Sequence, residues 1–438
     1  MDSLTAPSKF SSARETLDLP LVWDPPLARM RRPFGEDILA FREFGQPTRV
    51  LVTTFQKPDG TAGEIPTYIN EFWTARQRQA HSLHEVSYRA CFKPQLPRFF
   101  IERLTSLGDA VYDPFMGRGT TLVEAALMGR VAYGCDVNPL SRVLVAPRLQ
   151  PPSLDAVEER LKTIDFSVAR EFPEDLLVFY HRDTLRQICA LKHYLLSRQA
   201  ANSLDSVDEW ICLLALNRLT GHSPGFFSVY TMPPNQAVSV KSQQKINAKR
   251  NQVPAPRNVP ALILKKTRKL LSDCDQKTRQ TLAAVASKAL LITGASGHTS
   301  KIPNDSVSLV VTSPPFLDVV DYATDNWLRC WFLDIDAKSV KLTVPKKLDE
   351  WKGAMTEVFQ ELHRVLKIGG HVAFEVGEVH AGKTKLEETV LPCGVSVGLE
   401  PLLVLINDQK FTKTANCWGV DNNYKGTNTN RIVLFRKD

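Results

Sequence analysis

The stretch that most constrains this chain is Val307-Ser308-Leu309-Val310-Val311 running into Thr312-Ser313-Pro314-Pro315-Phe316. The apolar, β-branched run predicts a buried strand. Two prolines end it abruptly, since proline has no N–H for the ladder and disfavours helix at the residue before it. In an open α/β sheet, ligands bind at the carboxyl ends of the strands. Such a Ser-Pro-Pro can be no more than a stiff loop. As a site, its aromatic face would stack on a flat polar ring, while hydroxyl and carbonyl oxygens accept from the ring's amino group.

A second stretch lies far upstream. Ala110-Val111-Tyr112-Asp113 reads as a strand, Pro114-Phe115-Met116-Gly117-Arg118-Gly119 as a tight turn, and Thr120 to Gly129 as a helix. Glycines at 117 and 119 permit positive φ, and the helix amino end offers free N–H groups to a small anionic or zwitterionic molecule. The third glycine of a dinucleotide fingerprint is absent, and so is the Gly-Lys-Ser/Thr of a P-loop. The next strand, Val131 to Asp136, ends in an acid about 20 residues beyond the turn, where ribose hydroxyls are commonly held. Asp136 could instead be a helix N-cap.

Taken together, Asp113-Pro-Phe-Met-Gly-Arg-Gly-Thr-Thr121 and Thr312-Ser-Pro-Pro-Phe316 resemble the cofactor and catalytic motifs of the DNA amino-methyltransferases. These enzymes transfer a methyl group from S-adenosyl-L-methionine to N4 of cytosine or N6 of adenine. Phe92-Lys93-Pro94 resembles the same family's extra cofactor motif. The likeness covers about 85–145 and 288–438. It implies a Rossmann-like α/β methyltransferase fold: a mostly parallel sheet of seven strands with a terminal antiparallel hairpin. It also implies cofactor contacts from Phe92, Pro94, Asp113, Phe115, Gly117, Gly119, Thr120, Thr121, Asp136, Asn138 and Ser296. The catalytic set becomes Ser313, Pro314, Pro315 and Phe316.

Two departures stand out. Phe316 replaces the commoner tyrosine, and Leu290 to Gly297 carries Ala295-Ser296 where relatives often have an acid against the cofactor's adenine. Ser-Pro-Pro is more typical of the N4-cytosine enzymes, so a cytosine-N4-specific DNA methyltransferase is expected. The pocket would equally accept adenine's amino group, so N6-adenine stays open, as does a catalytically silent DNA-binding protein. On this reading Ser313 and the Pro314 carbonyl accept the two amino hydrogens of a flipped-out base, and Phe316 replaces its lost stacking. A cytosine-C5 enzyme would need a cysteine soon after the catalytic strand, and Cys393 lies too far on.

Residues 150–287 separate the second and third strands and read as an inserted, mainly helical domain. Within it, Lys241, Lys245, Lys249, Arg250, Arg257, Lys265, Lys266, Arg268 and Lys269 fall between 241 and 270 without one Asp or Glu. Nine cations there exceed the net charge of +8 for all 438 residues. A charge run is usually a solvated face. In a base-modifying enzyme it fits phosphate contacts, so these lysines and arginines, Arg257 aside, are the expected DNA-binding set.

Residues 66–149 and 288–438 are thus assigned to the catalytic domain, and 1–65, rich in Pro and Arg, to an irregular, partly disordered arm or cap. Eight cysteines without a Cys-x-x-Cys pair point to reduced thiols. With neither a signal pattern nor a membrane-length apolar run, a cytoplasmic, nucleoid-associated protein is expected. His81 and His84 have no third ligand nearby in sequence, so no metal is expected. Double-stranded DNA is the expected partner, and the resemblance admits a companion restriction endonuclease.

Overall fold

The structure, a computed structural model, describes residues 33–74, 80–88, 91–168, 171–231, 238–315, 322–337, 340, 347–379, 384–408 and 429–438. The chain opens with α1 (Phe34–Ala40), β1 (Arg49–Gln56), β2 (Ala62–Asn70), α2 (Gln95–Leu104), β3 (Ala110–Asp113), α3 (Thr120–Leu127), β4 (Val131–Asp136) and α4 (Pro139–Leu149). Six helices follow: α5 (Leu154–Thr163), α6 (Arg182–Ala200), α7 (Ser206–Arg218), α8 (Val240–Arg250), α9 (Val259–Leu270) and α10 (Gln276–Ala286). The sheet resumes with β5 (Leu290–Thr293) and β6 (Val307–Thr312), then α11 (Tyr322–Leu333), α12 (Leu348–Val365) and β7 (Leu366–Val376). A short ribbon, β8 (Glu378–Val379) with β9 (Thr384–Lys385), precedes α13 (Leu386–Ser396), β10 (Leu399–Asp408) and β11 (Thr429–Lys437).

One nine-stranded sheet organises these elements in the order β1-β2-β10-β11-β7-β6-β3-β4-β5. Strands β5, β4, β3, β6 and β7 run parallel, and β11 pairs antiparallel with both β7 and β10. That is the expected seven-strand methyltransferase sheet with its antiparallel hairpin. Alternation along the strands splits the core between the two faces. Leu309 and Val311 of β6, with Ile432 and Leu434 of β11, face Phe99, Phe100 and Ile101 of α2. Val310, Val433 and Phe435 face Trp351, Phe359 and Leu362 of α12 and Leu391 of α13.

Two strands of the main sheet were not expected. Of the segment 1–65, the residues from 33 onward form α1 and most of a β1–β2 hairpin, whose β2 lies parallel to β10 from Val404↔Thr67 to Asn407↔Asn70. Pro66 reads against a strand in the sequence, yet the β10 ladder starts one residue later, so its missing N–H costs nothing there. Between Tyr68 and Leu104 the described helical residues are a single turn at Ser82–His84 and α2.

Gly369-Gly370, which follows a helical run, lies inside a strand. α12 ends at Val365, its cap residue Leu366 is already extended, and both glycines lie inside β7. There the register against β6 slips between Val307↔Leu366 and Leu309↔His371, and Gly369 takes φ +76°. Glycine suits such an irregularity because a side chain is strained at that φ.

The inserted helices start where side chains cap them: Ser153 for α5, Asp205 in a capping box for α7, Ser239 for α8, Asn258 for α9 and Asp275 for α10. They share a core with the sheet domain. Trp210, Ile211 and Leu214 of α7 and Ile263 of α9 belong to the same buried cluster as Leu122 and Val123 of α3 and Leu144 of α4. Among the described residues no helix is long and apolar enough to cross a membrane.

Candidate active site

β3 and β6 are adjacent parallel strands, so the glycine turn and the Ser-Pro-Pro loop leave the same sheet edge side by side. Two hydrogen bonds lock them. The Thr312 hydroxyl donates to Asp113 Oδ1 at 2.6 Å, and Phe115 N–H donates to the same oxygen at 3.1 Å. Asp113 is buried, and burial pushes its carboxyl up to about 7 despite these donors. Thr121 adds a third tie, its hydroxyl donating to the Val311 carbonyl at 3.1 Å.

The turn itself is shaped by its glycines. Gly117 has φ +47° and donates its N–H to Asp136 Oδ2 at 2.8 Å. Gly119 has φ +73°, and a Cβ there would sit 2.3 Å from Val145 Cγ2, so only glycine lets α3 pack on α4. Asp136 also accepts from Asn138 N–H at 2.9 Å, while the Asn138 side chain caps α4 by accepting from Leu140 N–H at 3.0 Å. The helix N-cap is therefore Asn138, not Asp136. Burial raises the Asp136 carboxyl above its ordinary range.

A cavity of about 190 Å³ joins the two loops. The turn side gives it Pro114, Phe115 and Gly117, the end of β4 gives Asp136, Val137 and Asn138, and the catalytic loop gives Ser313 and Pro315. Ala295, Ser296 and Gly297 after β5, and Ala354, Met355, Glu357 and Val358 of α12, close the far end. Of the residues expected at the cofactor, Phe115, Gly117, Asp136, Asn138 and Ser296 line this space. Asp113, Gly119, Thr120 and Thr121 shape it from beneath: Asp113, Thr120 and Thr121 are buried, and Thr120 Oγ1 accepts from Arg118 Nε at 3.2 Å.

Phe92 and Pro94 do not line the cavity. Phe92 packs against the cluster of α1 and α2, and Pro94 is the N-cap of α2. Tyr88, four residues earlier, takes that wall, its Cε1 3.7 Å from where a Gly117 Cβ would lie. The segment carrying Tyr88 is firmly held. His84 Nε2 meets Glu124 Oε2 at 2.7 Å, and Arg98 donates to the other Glu124 oxygen at 2.6 Å. Arg148, fully buried, donates to the carbonyls of Leu83, Leu144 and Arg118. His81 points elsewhere, to the Asp273 carbonyl.

Sequence reading also passed over Glu375 at the end of β7. Thr312 pairs with Phe374, which sets Glu375 beside Ser313. Its carboxyl accepts from the Ser313 hydroxyl and from Asn430 Nδ2 of β11. Burial, reinforced by Asp113, raises it to about 7. Trp351 Nε1 donates to the Pro315 carbonyl at 3.1 Å and fixes the loop one residue beyond the Pro314 carbonyl. Pro314 is buried, and Phe316 lies outside the described residues.

Of the basic set, Lys241, Lys245, Lys249 and Arg250 are exposed on α8, and Lys265, Arg268 and Lys269 on α9. Lys266 is buried, and burial lowers its ammonium to about 8. It lies 3.6 Å from Glu85, which also pairs with Lys269 at 2.8 Å. Arg250 lies over the Tyr230 ring at 3.8 Å.

The donor set fits S-adenosylmethionine. A buried carboxylate at a strand end suits ribose hydroxyls, and Phe115, Val137 and Val358 offer apolar walls to a purine. Residues 48–141 match the model of a family described as DNA methylase, N6_N4_Mtase. The type II methyltransferase M.MjaII of Methanocaldococcus jannaschii is 31% identical over 139 residues, 31% of this chain and 25% of that protein. M.MvaI of Kocuria varians is 30% identical over 117 residues, 26% and 24% of the two chains. M.BsoBI of Geobacillus stearothermophilus is 21% identical over 302 residues, 64% and 58%. The chain thus spans between about a quarter and 58% of the length of these relatives. The matched residues 48–141 include the strand, turn and helix that build the cavity floor, so the likeness to the N6/N4 DNA methylases falls on the cofactor side of the site.

Proposed function

We propose that the chain is a DNA methyltransferase that methylates the exocyclic N4 amino group of a cytosine flipped out of duplex DNA. The observation that carries this reading is the single cavity shared by Gly117, Asp136 and Ser313. When bound, S-adenosylmethionine supplies an electrophilic methyl group on its sulfonium. Asp136 would hold its ribose hydroxyls, and Gly117, Phe115, Asn138 and Ser296 its remaining edges.

An exocyclic amine conjugated to a ring is a weak nucleophile, so the protein's task is to localise its lone pair. The Ser313 hydroxyl donates to Glu375, which leaves its oxygen lone pairs for one amino hydrogen. The Pro314 carbonyl takes the other, and the nitrogen pyramidalises. After transfer the methylated nitrogen must shed one proton. It passes to Ser313 as the Ser313 proton moves onto the Glu375 carboxylate, a group raised to about 7 and so poised near neutral pH. Phe316 follows as the proposed stacking platform. The exposed cations of α8 and α9 are the proposed phosphate contacts, and Lys266 supports them from the buried side beside Glu85.

Incubating the full chain with labelled cofactor and duplex DNA, then digesting to nucleosides for mass analysis, tests this reading. N4-methyldeoxycytidine is the expected product. N6-methyldeoxyadenosine would move the activity to adenine, and a protein that binds the cofactor without modifying DNA would overturn the reading.

A further inference from the structure

The far end of the cavity has no acid on the β5 side. Ala295, Ser296 and Gly297 line it there, and β5 and its loop carry no Asp or Glu from 290 to 297. Facing them is α12, whose Glu357 lines the same space. A Cβ placed on Gly297 would lie 3.6 Å from the Glu357 Cβ and 3.7 Å from its carbonyl carbon, so the loop runs directly against the helix at this residue.

A clamp one helical turn further on fixes this approach. Glu361 Oε1 accepts from Thr299 N–H at 2.7 Å and from the Thr299 hydroxyl at 2.6 Å. Arg364 donates to Glu361 at 2.6 Å and to the carbonyls of Ile302 and Thr299 at 3.0 and 3.2 Å. Residues four apart share a helix face. With Glu361 pinned to the loop, Glu357 is held over the loop's earlier residues, at the cavity. It is exposed, and among the described residues it has no hydrogen-bond or ion-pair partner. Asp136, the other carboxylate lining the cavity, already accepts two backbone N–H groups at the opposite side.

An adenine edge ends in a 6-amino group, a donor that needs an acceptor, and a carboxylate is the strongest one available. Resting on the cofactor reading above, we infer that Glu357 accepts from the 6-amino group of the cofactor's adenine. The acid that the β5 loop lacks is delivered from α12. Met355 and Val358 of the same helix supply the apolar surface beside it.

The test measures affinity by calorimetry for S-adenosylhomocysteine, its 6-deamino purine analogue and its 6-oxo hypoxanthine analogue. Wild type, Glu357→Ala and Glu357→Gln, the last keeping shape and exposure, are compared. Wild type should prefer the 6-amino ligand by about tenfold to a hundredfold. Glu357→Ala should lose that preference while binding the deamino analogue as wild type does. Glu357→Gln should gain affinity for the 6-oxo analogue, because a carboxamide can donate to the oxo group. Unchanged ratios in both variants, or a wild type that binds all three ligands equally, would refute the role of Glu357. A wild type that binds none of them would instead sink the cofactor reading itself.

Discussion

The proposed chemistry rests most heavily on Glu375. Its carboxyl ordinarily titrates near 4.5 and stands at about 7 in the fold. A raised acid stabilises the folded state fully below its unfolded value and loses that contribution as pH climbs through the folded one. Between about 4.5 and about 7 this group alone therefore drains stability, by on the order of 3 kcal/mol at most. Glu375→Gln should flatten the profile, so that its Tm gains on wild type as pH is raised from about 5 to about 8. The same variant should lower kcat by roughly a hundredfold with little change in cofactor affinity, since the amide can no longer take the Ser313 proton. A parallel pH–Tm curve would show the carboxyl to be ionised throughout, and full kcat would remove it from the reaction.

Why Glu375 escaped notice while Ser313 and Asp136 did not is a matter of spacing. Ser313 sits before two prolines, and Asp136 follows a glycine turn by one strand; both signals are local. An acid closing the apolar run of β7 resembles any solvated strand end until β6 is known to lie beside it. Tyr88 and Phe92 differ for the same reason. Both are aromatics in one loop, and only the ties of His84 and Arg148 decide which of them reaches the cavity.

Among the elements, the helices that carry charge are the most testable. α8 presents Lys241, Lys245, Lys249 and Arg250 to solvent, and α9 loses part of its charge to Glu85. Replacing the four α8 cations by glutamine should lower DNA affinity and make the salt dependence shallower, by up to about 0.9 in the log–log slope for each phosphate no longer neutralised. An unaltered slope in a fluorescence titration across salt would leave α8 without a phosphate role. The mainly helical character of the insert was legible from periodicity, and the number of its helices was not. The β1–β2 hairpin was not, because Pro66 and the polar Thr53-Thr54 break the usual strand pattern. The β6–β7 slip was hidden as well, since Gly369-Gly370 after a helical run suits a C-cap equally well.

At the scale of the whole molecule, the seven-strand sheet followed from the resemblance that the two motifs carry, and the interlock of the insert with it did not. The sequence suggests an inserted, mainly helical domain at 150–287. Trp210, Ile211, Leu214 and Ile263 interlock with Leu122, Val123 and Leu144. Removing that stretch would strip the outer surfaces of α3 and α4, the helices that hold Gly119 and Asp136 in place. A chain with 150–287 replaced by a short linker should therefore come out aggregated, with no cooperative thermal transition. A monomeric, cofactor-binding product in size-exclusion chromatography and calorimetry would show the catalytic half to be self-sufficient.

The interlock has an evolutionary reading too. Where a recognition module is hinged to its catalyst, new target sequences can be acquired by shuffling whole cassettes. Here any transplanted cassette would arrive with the wrong knobs for the holes on α3 and α4. If the insert carries the proposed DNA contacts, changes of specificity are then expected to accumulate as point substitutions at the periphery of the helices, with Trp210 and its neighbours left alone.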